Sequence, residues 1–365
     1  MDKKKILHIV TLSRWGGAQQ VCLDIAVESS KDHEVAVACK PGGRLVTEAK
    51  KDGIKIIENK WLKRELCPLY DLIALISLIV HIISNGYQVV HCHSTKAGII
   101  GRIASALCFC DKTIFTVHGW GFNNKEYSKV GKVLRVVEYI MSLLTDVLVC
   151  VSKYDYNHGK KIGIGEQKLT IIHNGANVSS DLRNNSFKVP PKKRILFIGR
   201  MVKQKAPLRV VKVAKKISQK DQTISVTMVG RGPLMGACEE KAHEENIYGM
   251  FNFVGHTDQV EKYLESSRLL LMLSRWEGLP LTAIEALFAG KPVFSTDVGG
   301  MSEIITNTKN GILFDSYDPS TISEKILKYI NDENFMLKVY RNNKRKAEAQ
   351  FSLEKMRQKY LDLYN

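Results

Sequence analysis

The sequence predicts two α/β domains in tandem, each built on a largely parallel sheet, and three observations carry that prediction. Short Val- and Ile-rich runs alternate with helix-length amphipathic segments, polar or glycine-containing turns separate the two, and the alternation starts afresh after the basic stretch NNSFKVPPKK at 184–193. A chain of 365 residues is also long for one core, since domains average roughly 150 residues.

In order, KILHIV at 5–10 reads as a strand, TLSRWGGAQQ as a polar loop and VCLDIAVESS as a helix. Further strands are expected at 33–39, 54–58, 87–93, 112–118 and 147–152, where β-branched residues run between polar segments. The apolar run LIALISLIVHII at 72–83 has 12 residues, short of the roughly 20 that span a bilayer. It reads as a buried or partly buried helix, which leaves any membrane contact peripheral. The amino terminus runs straight into a strand and lacks the apolar core of a secretion signal.

The Pro-containing stretch sets the expected boundary, with domains at 1–190 and 191–365. Beyond it, ILFIGR at 195–200, ISVTMVG at 224–230, FNFVG at 251–255, RLLLMLS at 268–274 and KPVFST read as strands, and PLTAIEALFAG as a helix ending near Gly290. The terminal segment reads as helix with mixed charge.

Lys and Arg number 54 against 37 Asp and Glu, a formal +17 spread over both halves. Such a balance suits a phosphate-rich ligand, an anionic membrane surface or nucleic acid. No zinc module, aromatic RNA-binding signature or basic recognition helix accompanies it, so nucleic acid is not the expected partner. The eight cysteines form no CxxC pair and mostly sit in apolar stretches, as in a reduced, cytoplasmic protein without disulfides or structural zinc.

Candidate chemistry gathers at strand ends, which converge in a parallel sheet. Gly16 and Gly17 in SRWGG would let a backbone or an anion approach closely, although a plain tight turn fits equally. Arg200 and Lys205 in GRMVKQK combine a planar fork with a compact cation, which suits two phosphates. In SRWEGLPLTAIEALFAGKPVFSTDVGG, Glu277 sits on a rigid turn and Glu285 within the following helix, which suits two parts of one ligand, while a surface turn and a helix-surface glutamate is the alternative. His91 and His93 share a strand face but lack further ligands, so no metal is expected, and His93, Ser94 and Thr95 become acceptor-side candidates.

The ordered words SRWGGAQ, HCHSTKAGIIGRIA, FTVHGWGF, VCVSK, IIHNGA, GRMVKQKAP, MVGRGP, FVGH, EGLPLTAIEALFAGKPV and DVGG span most of the chain. Together they resemble glycosyltransferase family 4, the retaining GT-B enzymes, and in particular its bacterial cell-surface polysaccharide branch. The resemblance implies two Rossmann-like domains facing across a cleft, the first on the acceptor side and the second binding a nucleotide sugar, with the terminal helix able to cross back. It implies that Gly16 and Gly17 lie near the donor phosphate and that His118 is the active-site histidine. Arg200 and Lys205 become the diphosphate pair, Glu277 the sugar contact, Glu285 the ribose contact, and Gly299 and Gly300 a turn beside the donor.

The function so implied is metal-independent, retaining transfer of a hexose from a nucleotide diphosphate, with UDP expected, to a lipid-linked or other glycan precursor for capsule or lipopolysaccharide. It needs no cofactor beyond the donor and places the enzyme in the cytoplasm, at the inner face of the membrane where the acceptor is lipid-linked. No D-x-D word of metal-dependent glycosyltransferases occurs. A sugar-nucleotide epimerase and a noncatalytic basic binding protein are the alternatives, and the oligomeric state stays open.

Overall fold

A computed structural model describes residues 3–65, 67–123 and 128–365. The chain forms two compact units, one of Met1–Asn174 with Leu353–Asn365 and one of Gly175–Ser352. The first holds β1 (Lys5–Val10), β2 (Glu34–Cys39), β3 (Lys55–Glu58), β4 (Val89–His93), β5 (Lys112–Val117), β6 (Val147–Cys150) and β7 (Leu169–Ile171), in the order β3-β2-β1-β4-β5-β6-β7. The second holds β8 (Arg194–Ile198), β9 (Ser225–Val229), β10 (Phe251–Gly255), β11 (Leu269–Met272), β12 (Val293–Thr296) and β13 (Gly311–Phe314), in the order β10-β9-β8-β11-β12-β13.

Every pairing between these strands is parallel. Parallel neighbours need crossovers, and the crossover helices cover the sheet faces, which is why β4 and β11 are buried along their whole length. In each sheet the strand order reverses between the first strand and its later neighbour, β1 beside β4 and β8 beside β11. Connections diverge there, opening a crevice at the carboxyl ends of the strands.

The unit boundary falls 16 residues before the expected one, because the polar segment after Asn174 is strapped to the second unit. Lys344 Nζ donates to the carbonyls of Leu182 (2.6 Å) and Arg183 (2.8 Å), and Arg268 Nε donates to Pro190 O (2.8 Å). Polarity and proline here mark a held segment, not a linker. At the other end, helix Leu353–Tyr364 belongs to the first unit. Its Tyr360 and Tyr364 are fully buried, and Arg357 pairs with Asp24 (3.2 Å) and Glu28 (3.3 Å).

The apolar run at 72–83 is part of an 18-residue helix, Pro68–Asn85, that starts on a proline and stops at Gly86 in the left-handed region (φ 65°). It buries only Ala74, Leu78 and Ile82, while Leu69, Leu72, Ile76, Val80 and Ile83 are each more than half exposed. By length and composition this helix could cross a membrane. Helix Ser128–Leu143 likewise exposes Val130, Val133, Val136, Ile140 and Leu143. Its anchor is the buried Glu138, which accepts from Arg102 Nη2 at 2.7 Å.

Candidate active site

In the second unit, β8 and β9 both end in glycines that let their loops pack backbone against backbone. Gly230 has φ 131°, and a Cβ on it would lie 1.9 Å from Gly199 O. One on Gly232 would lie 2.4 Å from Met201 O. The GRGP turn is therefore architecture for the neighbouring GRMVKQK loop, whose Arg200 is exposed and whose Lys205 is half-buried.

Lys205 and Glu277 meet. Lys205 Nζ donates to Glu277 Oε1 at 2.6 Å, with only 15% and 6% of the two side chains exposed. The loops carrying them are cross-braced, since Gln204 Nε2 donates to Trp276 O (3.1 Å) and the Arg275 N–H donates to Gln204 O (2.8 Å). Gly299 closes over the same turn with φ 61°, and a Cβ there would stand 2.0 Å from Glu277 O. The Gly300 N–H then donates to Gly278 O at 2.8 Å. Lys205, Glu277, Gly299 and Gly300 thus form one cluster, and Arg200 lies at the end of β8 that leads into it.

Glu285 stands further along, within helix Leu281–Phe288. Burial first, and the charge of Glu261 second, push its carboxyl up to about 7. Glu261 is itself held by the backbone N–H (2.7 Å) and the hydroxyl of Ser179.

In the first unit, Gly16 precedes helix Gly17–Ser29 with φ −178°, an extended conformation open to any residue, and no side chain caps that helix. The close approach lies instead at Gly43, where a Cβ would fall 2.3 Å from Ser13 O. The Leu45 N–H donates to that same carbonyl at 3.0 Å. Only the adjacent glycines of PGG at 41–43 signalled this position.

Ser94 adopts φ 81°, unusual for a residue with a side chain, and its hydroxyl lies 2.9 Å from Thr11 Oγ1. Thr95 opens helix Thr95–Leu107, where its hydroxyl would be 3.3 Å from a Cβ on Gly121. His93 is fully buried, so its side chain cannot line an acceptor surface as expected. It sits instead in a chain of imidazoles, with Nε2 3.1 Å from His8 Nδ1 and Nδ1 3.2 Å from Nε2 of the half-buried His118.

His91 completes the group, its Nδ1 2.6 Å from Tyr364 OH and its Nε2 2.8 Å from Thr116 Oγ1. His8 was not singled out from sequence because only the β1–β4 register, which sets His8 opposite His91, reveals it. Burial lowers His8 to about 3 and His118 to about 4, and puts His91 and His93 well below the ordinary range. All four rings are neutral near pH 7. His8, His91 and His93 could in principle hold an ion, with ligand atoms within 4.8 Å of one another, but both His91 nitrogens already bond hydroxyls.

Two parallel-sheet α/β units are the arrangement of the GT-B fold. The chain belongs to glycosyltransferase family 4: residues 15–180 match the model described as Glycosyltransferase Family 4, and residues 178–347 match that of Glycosyl transferases group 1. It is 27% identical to an Escherichia coli UDP-Gal:α-D-GlcNAc-diphosphoundecaprenol α-1,3-galactosyltransferase over 100% of this chain and 97% of that protein. It is 29% identical to the O-antigen biosynthesis glycosyltransferase WbnH of Escherichia coli, over 96% of each. Among solved structures, Anabaena HepE in complex with UDP and glucose superposes with a TM-score of 0.84 at 17% identity, over 99% of both chains.

Proposed function

We propose that this enzyme transfers a hexose from a UDP-linked donor, with retention of the anomeric configuration, onto a lipid-diphosphate-linked glycan during assembly of a cell-surface polysaccharide. The observation that carries the reading is the 2.6 Å pair of Lys205 and Glu277 beneath Gly299, with Arg200 at the strand end leading into it. Cleaving a sugar from a nucleoside diphosphate develops negative charge on the leaving phosphate and positive charge on the sugar. Arg200 and Lys205 meet the first and Glu277 the second. Glu285 takes the ribose hydroxyls. Gly16 and Gly17, at an uncapped helix start, leave amides available beside the donor phosphate.

Retention excludes a single backside displacement. Front-face attack suits this site, with a donor phosphate oxygen taking the acceptor proton while Glu277 orients the sugar and His118 hydrogen-bonds it. Ser94 and Thr95 remain on the acceptor side. The UDP donor and the undecaprenyl-linked acceptor are supported by what HepE binds and by what the Escherichia coli galactosyltransferase acts on.

A lipid-linked acceptor requires access to a membrane, and the exposed apolar faces of helices Pro68–Asn85 and Ser128–Leu143, in a chain of charge +17, suit peripheral docking to an anionic inner leaflet. Vesicle binding should rise with anionic lipid, fall with salt, and weaken in Ile76→Asp/Val80→Asp. Equal binding to neutral vesicles would contradict the electrostatic part. The catalytic reading is tested by a screen of nucleotide sugars against lipid-diphosphate glycans, with the product linkage read by NMR. An isomerised free donor would make the chain an epimerase, and binding without turnover a noncatalytic protein.

A further inference from the structure

Three buried histidines, His8, His91 and His93, gather beside the half-buried His118, more than one active-site histidine requires, and their bonding is directional. Three of the four form a series through two hydrogen bonds: His118 Nε2 to His93 Nδ1 at 3.2 Å, and His93 Nε2 to His8 Nδ1 at 3.1 Å. The far end, His8 Nε2, is buried and has no partner among the described residues. At the near end, no protein group among the described residues bonds His118 Nδ1.

A neutral imidazole carries one proton on two nitrogens. If His118 is protonated on Nε2, it donates to His93 Nδ1; His93 must then carry its proton on Nε2 and donate to His8 Nδ1, which puts the His8 proton on Nε2. If His118 is protonated on Nδ1, every proton in the series moves to Nδ1. Mixed arrangements set two lone pairs or two N–H groups against each other inside the core. The series therefore has two states, not eight.

We infer that His8 and His93 are positioning residues that lock His118 into one three-ring tautomeric unit, so that His118 meets its ligand as a neutral ring through Nδ1 alone. Burial, which depresses all three rings, keeps the unit uncharged. Helix Leu353–Tyr364 steadies it from behind, because Tyr364 holds His91, and the His91 ring stacks on His93 with centroids 4.2 Å apart. In either state His118 presents one defined group at Nδ1, a lone pair when the protons sit on Nε2 and an N–H when they sit on Nδ1. It works as a donor or an acceptor toward a sugar oxygen, and the three rings take that choice together.

The catalytic part of this inference rests on the glycosyl-transfer reading; the tautomer part does not, and the experiment separates them. Histidine-selective 15N NMR of the full chain at pH 7.5 should show His8, His93 and His118 neutral and all on the same tautomer. A mixed set, or a cationic ring among them, overturns the inference without reference to activity. His93→Phe keeps the ring volume but severs the series, so His118 should become a mixture of tautomers, whereas His93→Asn, whose amide stands near the place of Nδ1, should restore one. In turnover, His93→Phe should lower kcat at least 10-fold with donor KM changed less than twofold, and His93→Asn should recover most of the loss. Should His93→Phe fail to fold, His8→Phe repeats the test one ring further away. Zinc retained through dialysis against chelator and lost in His8→Phe would overturn the inference, since metal-bound nitrogens cannot hold the series.

Discussion

Replacing Lys205 by Ala separates what the Lys205–Glu277 contact does for the fold from what it does for the reaction. The two groups stand 2.6 Å apart with 15% and 6% of their side chains exposed, so removing the ammonium leaves a nearly buried carboxylate without its cation. Breaking a buried pair in this way costs roughly 3–5 kcal/mol, and the residual exposure of Lys205 puts the expected loss at the lower end. Replacing both residues, as Lys205→Ala/Glu277→Gln, removes the orphaned charge and should return most of that stability. Turnover should behave differently. If Lys205 contributes a charge-assisted contact of roughly 1.5–3 kcal/mol to the departing diphosphate, single-turnover transfer falls on the order of 10–100-fold in Lys205→Ala. The double variant should recover none of it. Urea unfolding and single-turnover transfer at saturating donor, on the two single variants and the double, complete the cycle. Recovery of turnover in the double variant would show that Lys205 serves only to neutralise Glu277; wild-type stability and rate in Lys205→Ala would dismiss the pair altogether.

Glu285, raised to about 7 against an ordinary 4.5, binds its proton more tightly in the folded state, so its contribution to stability is present below pH 4.5 and lost as pH rises through about 7. Glu285→Gln should therefore be more stable than wild type at pH 8, by about 3 kcal/mol in urea unfolding, and equal to it near pH 4. Donor affinity by calorimetry should fall while single-turnover transfer at saturation stays close to wild type. The buried histidines have the opposite sign: with His8 near 3 and His118 near 4, and His91 and His93 lower still, the unfolded chain binds more protons below pH 6.5. Stability should be complete above that pH and drop as it falls, and His8→Phe should flatten the slope by about 1.4 kcal/mol per pH unit, measured by urea unfolding between pH 4.5 and 7. Glu138→Ala, which orphans the buried Arg102, should cost roughly 3–5 kcal/mol in the same assay without changing donor affinity.

The strands were legible because β-branched runs buried on both faces stand out against polar turns. Those missed, β7 and β13, have three and four residues and lie at sheet edges. The residues at the strand ends were legible as ordered words. Their pairing was not: Lys205 and Glu277 were assigned to different parts of the donor, and nothing in two residues so far apart in sequence says that they touch. His8 depended on strand register, and Gly43 on a carbonyl contributed by another loop. For helix Pro68–Asn85, hydropathy reported apolar content but not which face would find a protein partner, and most of that surface found none among the described residues. The boundary near 190 was misplaced because proline and charge look the same in a linker as in a segment strapped down by Lys344 and Arg268.

The central claim is that the Lys205–Glu277 cluster handles the diphosphate and the transferred sugar of a UDP-linked donor. The most direct test incubates wild-type enzyme and Glu277→Gln with a UDP-hexose and a lipid-diphosphate glycan, then determines anomeric configuration and yield of the product by NMR. The account predicts an α-linked product from an α-linked donor, formed by wild type and strongly reduced in Glu277→Gln although the donor still binds. An inverted product, or undiminished transfer by Glu277→Gln, would contradict it.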